Sequence, residues 1–166
     1  MIAVLGAGES GVGAALLAKQ KGYDVFVSDS GSVKDHFQND LVSAGLEWEQ
    51  GEHNEEKILS ANILIKSPGI PETNLVTKAR AKGIEVLSEI EFASRFSEGR
   101  IIAITGTNGK TTTASLTYYI LKRAGFDVAL AGNIGESFAR RLTNSDRDYW
   151  VLELSSFQLD DCLLYT

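Results

Sequence analysis

Short apolar runs recur along the chain, each bounded by polar or turn-forming residues. Runs of this length are typical of buried strands, because a strand of a parallel sheet is covered on both faces. Four runs are predicted to be strands on this basis: residues 2–5, 63–65, 100–104 and 149–152.

Four other stretches share one sequence pattern. In each, a helix-like segment ends at a glycine and an apolar or alternating segment follows. Glycine is favoured just past a helix because left-handed backbone geometry costs it little. Each stretch is predicted to be a helix leading into a strand, at residues 20–27, 43–48, 81–87 and 123–130. The alternation of strands and helices predicts an α/β fold with parallel sheets and helical crossovers.

The pattern starts afresh after about 100 residues. The sequence SEIE at residues 88–91 has the spacing of a capping box and predicts a helix that continues to Phe96. Residues 97–99 then break that helix before the next apolar run. We therefore predict two units, at residues 1–98 and 99–166, the first a Rossmann-like domain and the second the start of another α/β domain.

The sequence GAGESG at residues 6–11 follows the first apolar run and precedes a helical pattern. Glycines in this context let backbone amides at the start of a helix approach a pyrophosphate. Asp29 ends the next predicted strand, where its carboxylate is placed to accept a hydrogen bond from a ribose hydroxyl. The motif leaves open a nicotinamide or flavin dinucleotide, another nucleotide diphosphate, and a tight turn without a ligand. Glu9 would repel a bound phosphate unless it points away.

The sequence SPGIP at residues 67–71 follows the apolar run at residues 63–65 and contains both prolines of the chain. On composition alone it is a rigid turn. It stands, however, at the carboxyl end of a predicted parallel strand, where open α/β sheets bind ligands. A structural turn and a ligand-binding loop both remain open.

The sequence GTNGKTT at residues 106–112 lies between a predicted strand and a helix predicted over residues 113–124, the order found in phosphate-binding loops. Its spacing is shorter than the common form, because Ile104 stands where that form has its first glycine. The chemistry survives this change, since successive amides bind an anion, Lys110 supplies positive charge to phosphates and the Thr111 hydroxyl can bind magnesium.

Glu153 ends the strand predicted at residues 149–152, on the edge of the sheet that carries this loop. Magnesium held by nucleotide phosphates usually takes one or two carboxylate oxygens from the protein. Glu153 is therefore a candidate metal ligand, and a solvated strand end is the alternative.

Composition narrows the classes of function. The net charge of −6 and the absence of a strong cluster among the 16 lysines and arginines argue against a nucleic-acid surface. The single cysteine, Cys162, excludes an intramolecular disulfide and is predicted to be a buried apolar side chain. Because there is also no signal peptide or long apolar segment at the start of the chain, we expect a cytoplasmic protein.

The two glycine-rich loops together make the chain similar to the Mur ligase superfamily, ATP-dependent enzymes of peptidoglycan assembly. TGTNGKTT at residues 105–112 resembles the short phosphate loop of that superfamily. GNIG at residues 132–135 and ELSSFQL at residues 153–159 most resemble the branch that adds D-glutamate to UDP-N-acetylmuramoyl-L-alanine. GAGESG and SPGI resemble the uridine-nucleotide domain of that branch, so the similarity covers essentially the whole chain.

The resemblance implies a role for individual residues. The UDP part of the substrate would be held by Glu9, Ser10, Asp29, Ser30, Gly31, Ser67, Pro68, Gly69 and Ile70, with Gly31 standing where a basic contact is plausible. ATP would be bound by Gly106, Thr107, Asn108, Gly109, Lys110, Thr111 and Thr112. Lys110 and Glu153 would be catalytic, and Thr111 and Glu153 would lie near magnesium. Asn133, Ser155 and Gln158 would face the muramoyl end of the substrate and the magnesium site.

The resemblance also implies a reaction, in which ATP phosphorylates the substrate carboxylate and the amine of D-glutamate displaces phosphate from the acyl phosphate. Members of the superfamily have three domains and are expected to be monomers. We therefore expect this chain to match the first domain and the start of the second, and to be inactive as a ligase by itself. Three alternatives remain: an NAD-dependent oxidoreductase, a noncatalytic nucleotide-binding module, and a sister ligase or folylpolyglutamate synthetase.

Overall fold

The computed structural model describes residues 1–160, which form two parallel β-sheets with helices between their strands. Every neighbouring pair of strands in both sheets is parallel. This arrangement confirms the predicted α/β class. Cys162 lies outside the described residues, so its predicted burial is not addressed.

The first sheet has five strands, and crossover helices separate them along the chain. Its elements are β1 (Ile2–Leu5), α1 (Glu9–Gln20), β2 (Val25–Asp29), α2 (Asp35–Ser43), β3 (Glu47–Gln50), α3 (Glu55–Ile58), β4 (Ile63–Lys66), α4 (Asn74–Ala81) and β5 (Glu85–Ser88), followed by α5 (Glu89–Ser94). The strand order is β3-β2-β1-β4-β5. Since β1 is central and the order reverses there, the loop after β1 opens onto the crevice where such sheets bind ligands.

The second sheet has three strands. Its elements are β6 (Arg100–Ile104), α6 (Lys110–Arg123), β7 (Val128–Gly132), α7 (Phe138–Asn144), β8 (Tyr149–Glu153) and α8 (Ser156–Asp160). The strand order is β6-β8-β7, so β8 is central and its carboxyl end lies between those of β6 and β7. The boundary between the units at residue 98 stays a prediction.

The four predicted transitions from helix to strand are all confirmed. In each of them the helix ends two residues before its glycine, as α1 does at Gln20 before Gly22. The four glycines have φ between 61° and 87°, the left-handed region that residues with a side chain rarely adopt. These glycines therefore end the helices and turn the chain back into the sheet.

The prediction that a helix continues to Phe96 is wrong, because α5 ends at Ser94. Its amino end is as predicted: the Ser88 hydroxyl accepts a hydrogen bond from Glu91 N at 3.1 Å. Beyond the helix, Ser97 Oγ and Glu98 N both donate to the Asp146 carboxylate at 2.7 Å. These hydrogen bonds turn the chain away from the helical path.

The start of α6 also differs from the prediction, because the helix begins at Lys110 rather than at residue 113. Gly109 is its amino cap, with a left-handed φ of 77°. Because of this conformation, the helix begins three residues before the predicted start. Lys110, Thr111 and Thr112 therefore belong to the first helical turn and not to the loop.

Helices α1 and α7 join the two units across a shared apolar core. Val12 and Leu17 of α1 belong to the same buried cluster as Phe138 and Leu142 of α7. The helices approach closely at Gly13, where an added Cβ would lie 2.2 Å from Ser137 Oγ. The glycine-rich loop at the start of α1 is thereby fixed relative to the second unit.

Helix α6 on the second sheet is covered much less. Ala114 is its one buried residue. Leu116, Tyr119 and Ile120 are each more than half exposed. No helix among residues 1–160 is long and apolar enough to cross a membrane.

Candidate functional site

A cavity of about 360 Å³ opens at the carboxyl edge of the first sheet. Its walls come from the loops after β1, β2, β3 and β4, which parallel strands bring to one edge. The lining residues are Gly6, Gly8, Glu9, Ser10, Asp29, Ser30, His53, Ser67, Pro68, Gly69 and Ile70. All residues predicted to hold the UDP part line this cavity except Gly31.

The Asp29 carboxylate holds the glycine-rich loop in place. Its Oδ2 accepts a hydrogen bond from Ala7 N at 2.7 Å, and its Oδ1 accepts one from Gly31 N at 2.8 Å. Gly31 therefore supports Asp29 through its backbone rather than lining the cavity. Both oxygens of the carboxylate expected to receive a ribose hydroxyl already have a backbone partner.

The Glu9 side chain points toward the second unit. Its Oε1 accepts hydrogen bonds from Arg140 Nε and from Ser137 N, both at 2.9 Å. Because Arg140 compensates the negative charge of Glu9, the Glu9 carboxylate would repel a phosphate bound at the loop less strongly. Glu9 lines the cavity, but its carboxylate is engaged elsewhere.

A second cleft of about 560 Å³ lies at the carboxyl edge of the second sheet. It is lined by Thr105, Gly106, Thr107, Lys110, Asn133, Ser155, Ser156 and Phe157. Lys110 Nζ folds back over the loop and donates to Gly106 O at 2.7 Å. The other predicted ATP residues, Asn108, Gly109, Thr111 and Thr112, are exposed and do not belong to this lining.

Glu153 lies beneath that cleft and is only 3% exposed. The alternative of a solvated strand end is therefore wrong. Glu153 pairs in register with Ile104 on one side and Gly132 on the other. Its Oε1 accepts a hydrogen bond from Asn133 Nδ2 at 3.1 Å, whereas its Oε2 is buried without a hydrogen-bond partner. A buried, unpartnered carboxylate oxygen fits the needs of a magnesium ion.

Other acidic side chains do not gather around Glu153. Among residues 1–160, no group of three or more His, Cys, Asp or Glu side chains is arranged to hold a metal ion. Gln158, predicted to face the substrate, is buried and lies outside the lining of the cleft. Its Oε1 instead accepts hydrogen bonds from Ser155 N at 3.0 Å and Ser155 Oγ at 3.1 Å, which fixes Ser155 at the cleft wall.

A third cavity of about 270 Å³ shares wall residues with each of the other two. It shares Pro68, Gly69 and Ile70 with the first cavity and Phe157 with the second cleft. Phe157 belongs to α8 and is exposed. The three spaces are thus neighbours between the first glycine-rich loop and Lys110.

His53, Phe157 and Glu89 are not among the predicted site residues. His53 follows β3 at the same carboxyl edge as Asp29, a position that could have revealed it. Glu89 carries no comparable signal, because its environment is created by the second unit. Its Oε1 accepts a hydrogen bond from Ala139 N at 2.5 Å. Burial raises the pKa of Glu89 to about 8, the hydrogen bond from Ala139 opposes this shift, and the charge of Glu9 adds to it.

Two parallel sheets, each with a glycine-rich loop leading from a strand into a helix, define an α/β fold of the nucleotide-binding class. Residues 1–88 match the family model for the Mur ligase MurD-like N-terminal domain, and residues 104–166 match the Mur ligase middle domain. The chain belongs to the Mur ligase family.

Curated relatives support this assignment over nearly the whole chain. The UDP-N-acetylmuramoylalanine--D-glutamate ligase of Bacteroides fragilis is 55% identical over 96% of this chain. The protein of the same name from Cytophaga hutchinsonii is 58% identical over 99% of this chain. The chain spans 36% and 37% of the length of these two relatives.

Solved structures show the same fold. A pseudomurein peptide ligase type C from Methanothermus fervidus is 28% identical, with a TM-score of 0.54 over 93% of this chain and 33% of that one. The Neisseria meningitides UDP-N-acetylmuramate:L-alanyl-gamma-D-glutamyl-meso-diaminopimelate ligase has a TM-score of 0.62 over 92% of this chain and 51% of that one. At 22% identity, the second likeness concerns the fold alone.

Proposed function

We propose that this chain carries the uridine-nucleotide site and the ATP site of a ligase that joins D-glutamate to UDP-N-acetylmuramoyl-L-alanine. The observation that carries the proposal is the closeness of the two candidate sites: the cavity at Gly6 and the cleft at Lys110 both border one intervening cavity, the first through residues 68–70 and the second through Phe157. A substrate held at one end by its nucleotide can extend its other end across this region toward the phosphates of ATP.

In this proposal the first cavity binds UDP. The amides at the start of α1 face the pyrophosphate, because the first backbone N–H groups of a helix have no partner within it. The turn at residues 67–70 forms the opposite wall. The muramoyl group then extends past Ile70 toward the second unit.

The second cleft binds ATP, and Lys110 is its positively charged group. Lys110 Nζ now contacts carbonyl oxygens of its own loop and would exchange them for phosphate oxygens. Magnesium, held through Glu153 and Thr111, would neutralise phosphate charge. Asn133 keeps the other oxygen of Glu153 occupied, so that Oε2 is the oxygen left for the ion.

The reaction in this proposal begins when the terminal alanine carboxylate attacks the γ-phosphorus of ATP and releases ADP. The amine of D-glutamate then attacks the carbonyl carbon of the acyl phosphate, loses a proton, and displaces inorganic phosphate. The choice of D-glutamate is supported by the printed name shared by relatives that are 55% and 58% identical. The location proposed for this reaction is the cytoplasm.

The test uses a protein that includes this chain and is as long as the curated relatives. Phosphate release from ATP is measured. Magnesium and UDP-N-acetylmuramoyl-L-alanine are supplied, and D-glutamate, L-glutamate, glycine and meso-diaminopimelate are compared. Release that depends on D-glutamate is expected. Release that depends on another amino acid would identify a sister ligase, and none with any amino acid would contradict ligase activity.

A further inference from the structure

A buried serine connects a histidine in the wall of the first cavity to a carboxylate. Ser28 Oγ lies 2.6 Å from His53 Nδ1 and 2.6 Å from Glu49 Oε1. Ser28 lies on β2 and is inaccessible to solvent, whereas His53 lines the cavity and is partly exposed. The three side chains therefore form a hydrogen-bonded line from Glu49 through the buried Ser28 to His53 in the cavity wall.

The proton positions along this line follow from the chemistry of its members. An ionised carboxylate only accepts hydrogen bonds, and Glu49 Oε1 also accepts one from Asn54 N at 2.7 Å. The single hydroxyl proton of Ser28 therefore goes to Glu49. Ser28 Oγ is left as an acceptor toward His53, so Nδ1 carries a proton. In the neutral ring, the proton on Nδ1 leaves Nε2 as an acceptor.

Nε2 is on the side of the ring away from Nδ1, and Nδ1 faces the buried Ser28. A phosphate offers acceptor oxygens and is a poor partner for an unprotonated nitrogen. A nucleoside offers donors, namely the imide N3–H of uracil and the ribose hydroxyl groups. His53 therefore gives the cavity a further acceptor for such a donor, beside the Asp29 carboxylate, whose two oxygens each also accept a backbone hydrogen bond.

We infer that His53 is a recognition residue for the nucleoside part of the ligand, accepting at Nε2 a hydrogen bond from uracil N3–H or a ribose hydroxyl. The inference rests on the proposed uridine-nucleotide site and adds a residue to it. Ser28 and Glu49 are positioning residues in this arrangement, because they hold the ring and its proton without touching the ligand. Neither Ser28 nor Glu49 belongs to the lining of the cavity.

The test is calorimetric titration of the 166-residue chain with UDP. His53→Asn retains an amide group near the position of Nδ1, so the contact to Ser28 can persist while the far nitrogen is lost. We expect UDP to bind roughly 3- to 10-fold more weakly, the effect of one lost hydrogen bond. His53→Gln carries its amide further along the side chain, near Nε2, and should recover part of the affinity.

Two further variants separate recognition from general disturbance. Ser28→Ala frees the imidazole to take either proton position, so it should weaken UDP binding although Ser28 is remote from the ligand. His36→Asn is the matched control, because His36 is the other histidine of the chain, is exposed on α2 and contacts Phe37. The His36 variant should bind UDP as the wild type does.

Nucleotide analogues identify the donor. If N3–H is the donor, 3-methyluridine diphosphate should bind the wild type and His53→Asn equally, since neither pair can form the hydrogen bond. If the ribose 2′-hydroxyl is the donor, 2′-deoxyuridine diphosphate should give that equality instead. The analogue that retains the donor should still distinguish the two proteins.

The outcomes separate the inference from the proposal on which it rests. Equal UDP affinity of the wild type and His53→Asn would overturn the role of His53 while leaving the uridine-nucleotide site intact. A wild-type chain that fails to bind UDP would refute the site itself, and the role of His53 with it. Equal weakening by His36→Asn would show that the loss at His53 is not specific, which also overturns the inference.

Discussion

The carboxylate of Glu9 and the guanidinium of Arg140 meet at 2.9 Å, although 131 residues separate them in the chain. Glu9 begins α1 and lines the first cavity, and Arg140 lies near the start of α7. Arg140 Nη1 also lies 2.9 Å from Asp40 Oδ2. One arginine thus ties the glycine-rich loop and α2 of the first unit to the second unit.

Arg140→Ala is expected to lower the free energy of unfolding by about 2 kcal/mol. Breaking a buried ion pair leaves an uncompensated charge and typically costs more than this, but Glu9 and Asp40 retain some solvent contact. Urea unfolding followed by circular dichroism measures the change. Arg141→Ala is the control, because Arg141 is the next residue and its partly exposed side chain pairs with exposed Glu136. A loss as large as that of Arg140→Ala would contradict the prediction.

The stability of the protein should depend on pH through Glu89. Its pKa is raised from 4.5 to about 8 in the folded state, chiefly by burial. Between these values the folded protein binds a proton that the unfolded chain has released. The free energy of unfolding should therefore fall as pH rises from about 4.5 to about 8, by on the order of a few kcal/mol, and level off above that range.

Glu89→Gln should flatten this pH dependence, because glutamine keeps an acceptor for Ala139 N and does not ionise. Unfolding curves would be compared for the two proteins at roughly pH 5, 6, 7 and 8, which covers the range in which Glu89 is expected to titrate. Glu56→Gln on α3 removes an exposed carboxylate and should leave the slope as it is. An unchanged slope in Glu89→Gln would show that Glu89 does not titrate in this window.

Lys110→Ala is expected to weaken ATP binding about 10-fold or more while UDP binding is unchanged. Hydrogen bonds to charged groups contribute more than neutral ones, and Lys110 is the lysine of the second cleft. Calorimetric titration with each nucleotide measures both affinities. Lys122→Ala removes a lysine from the other end of α6, where Nζ contacts Tyr118, and should affect neither. Wild-type ATP affinity in Lys110→Ala would refute the assignment.

Glu153→Gln should abolish the increase in ATP affinity that magnesium is expected to provide. Glutamine has almost the same shape but lacks the charge with which a carboxylate oxygen binds magnesium. ATP titrations with magnesium and with a chelator give the increase for each protein. Glu136→Gln, an exposed residue just after the GNIG segment, is the comparison. Retention of the full magnesium effect in Glu153→Gln would exclude it as a ligand.

Asp29→Ala should weaken UDP binding by on the order of 1 kcal/mol or more, with little effect on ATP. Part of the lost affinity should come from a looser glycine-rich loop, because the Asp29 carboxylate accepts hydrogen bonds from Ala7 N and Gly31 N as well as lining the cavity. Asp29→Asn keeps one acceptor oxygen and should lose less. The same titrations decide the matter, and an unchanged UDP dissociation constant in Asp29→Ala would disprove a role for the carboxylate.

The order of strands and helices is predictable from the sequence because its signals are local. The glycine two residues beyond a helix, as at Gly22, needs no knowledge of the rest of the fold. The carboxyl edges of the sheets are equally accessible to sequence reasoning, since parallel strands bring the loops after β1 and β4 together. Eight of the nine residues predicted to hold the UDP part therefore line the first cavity; Gly31 does not line it, and His53 lines it without having been predicted.

Contacts between distant segments are not predictable in this way. The direction of the Glu9 side chain depends on Arg140, and the burial of Glu89 depends on α7. The sequence around Glu9 and around Glu89 gives no indication of these distant partners. The early start of α6 has a local cause, because the left-handed conformation of Gly109 caps the helix and brings Lys110, Thr111 and Thr112 into its first turn.

The close approach of α1 and α7 at Gly13 has a consequence for mutational tolerance. A methyl group there would meet Ser137 Oγ at 2.2 Å and the backbone of Arg140 at 3.1 Å. Ser137 cannot simply rotate aside, because its hydroxyl accepts a hydrogen bond from Arg140 N and caps α7. Even alanine would therefore push the helices apart or displace Ser137 from its hydrogen bond, and a saturation library selected for folding should strongly favour glycine at this position. A single glycine thus sets how closely the first cavity and the second cleft are held together.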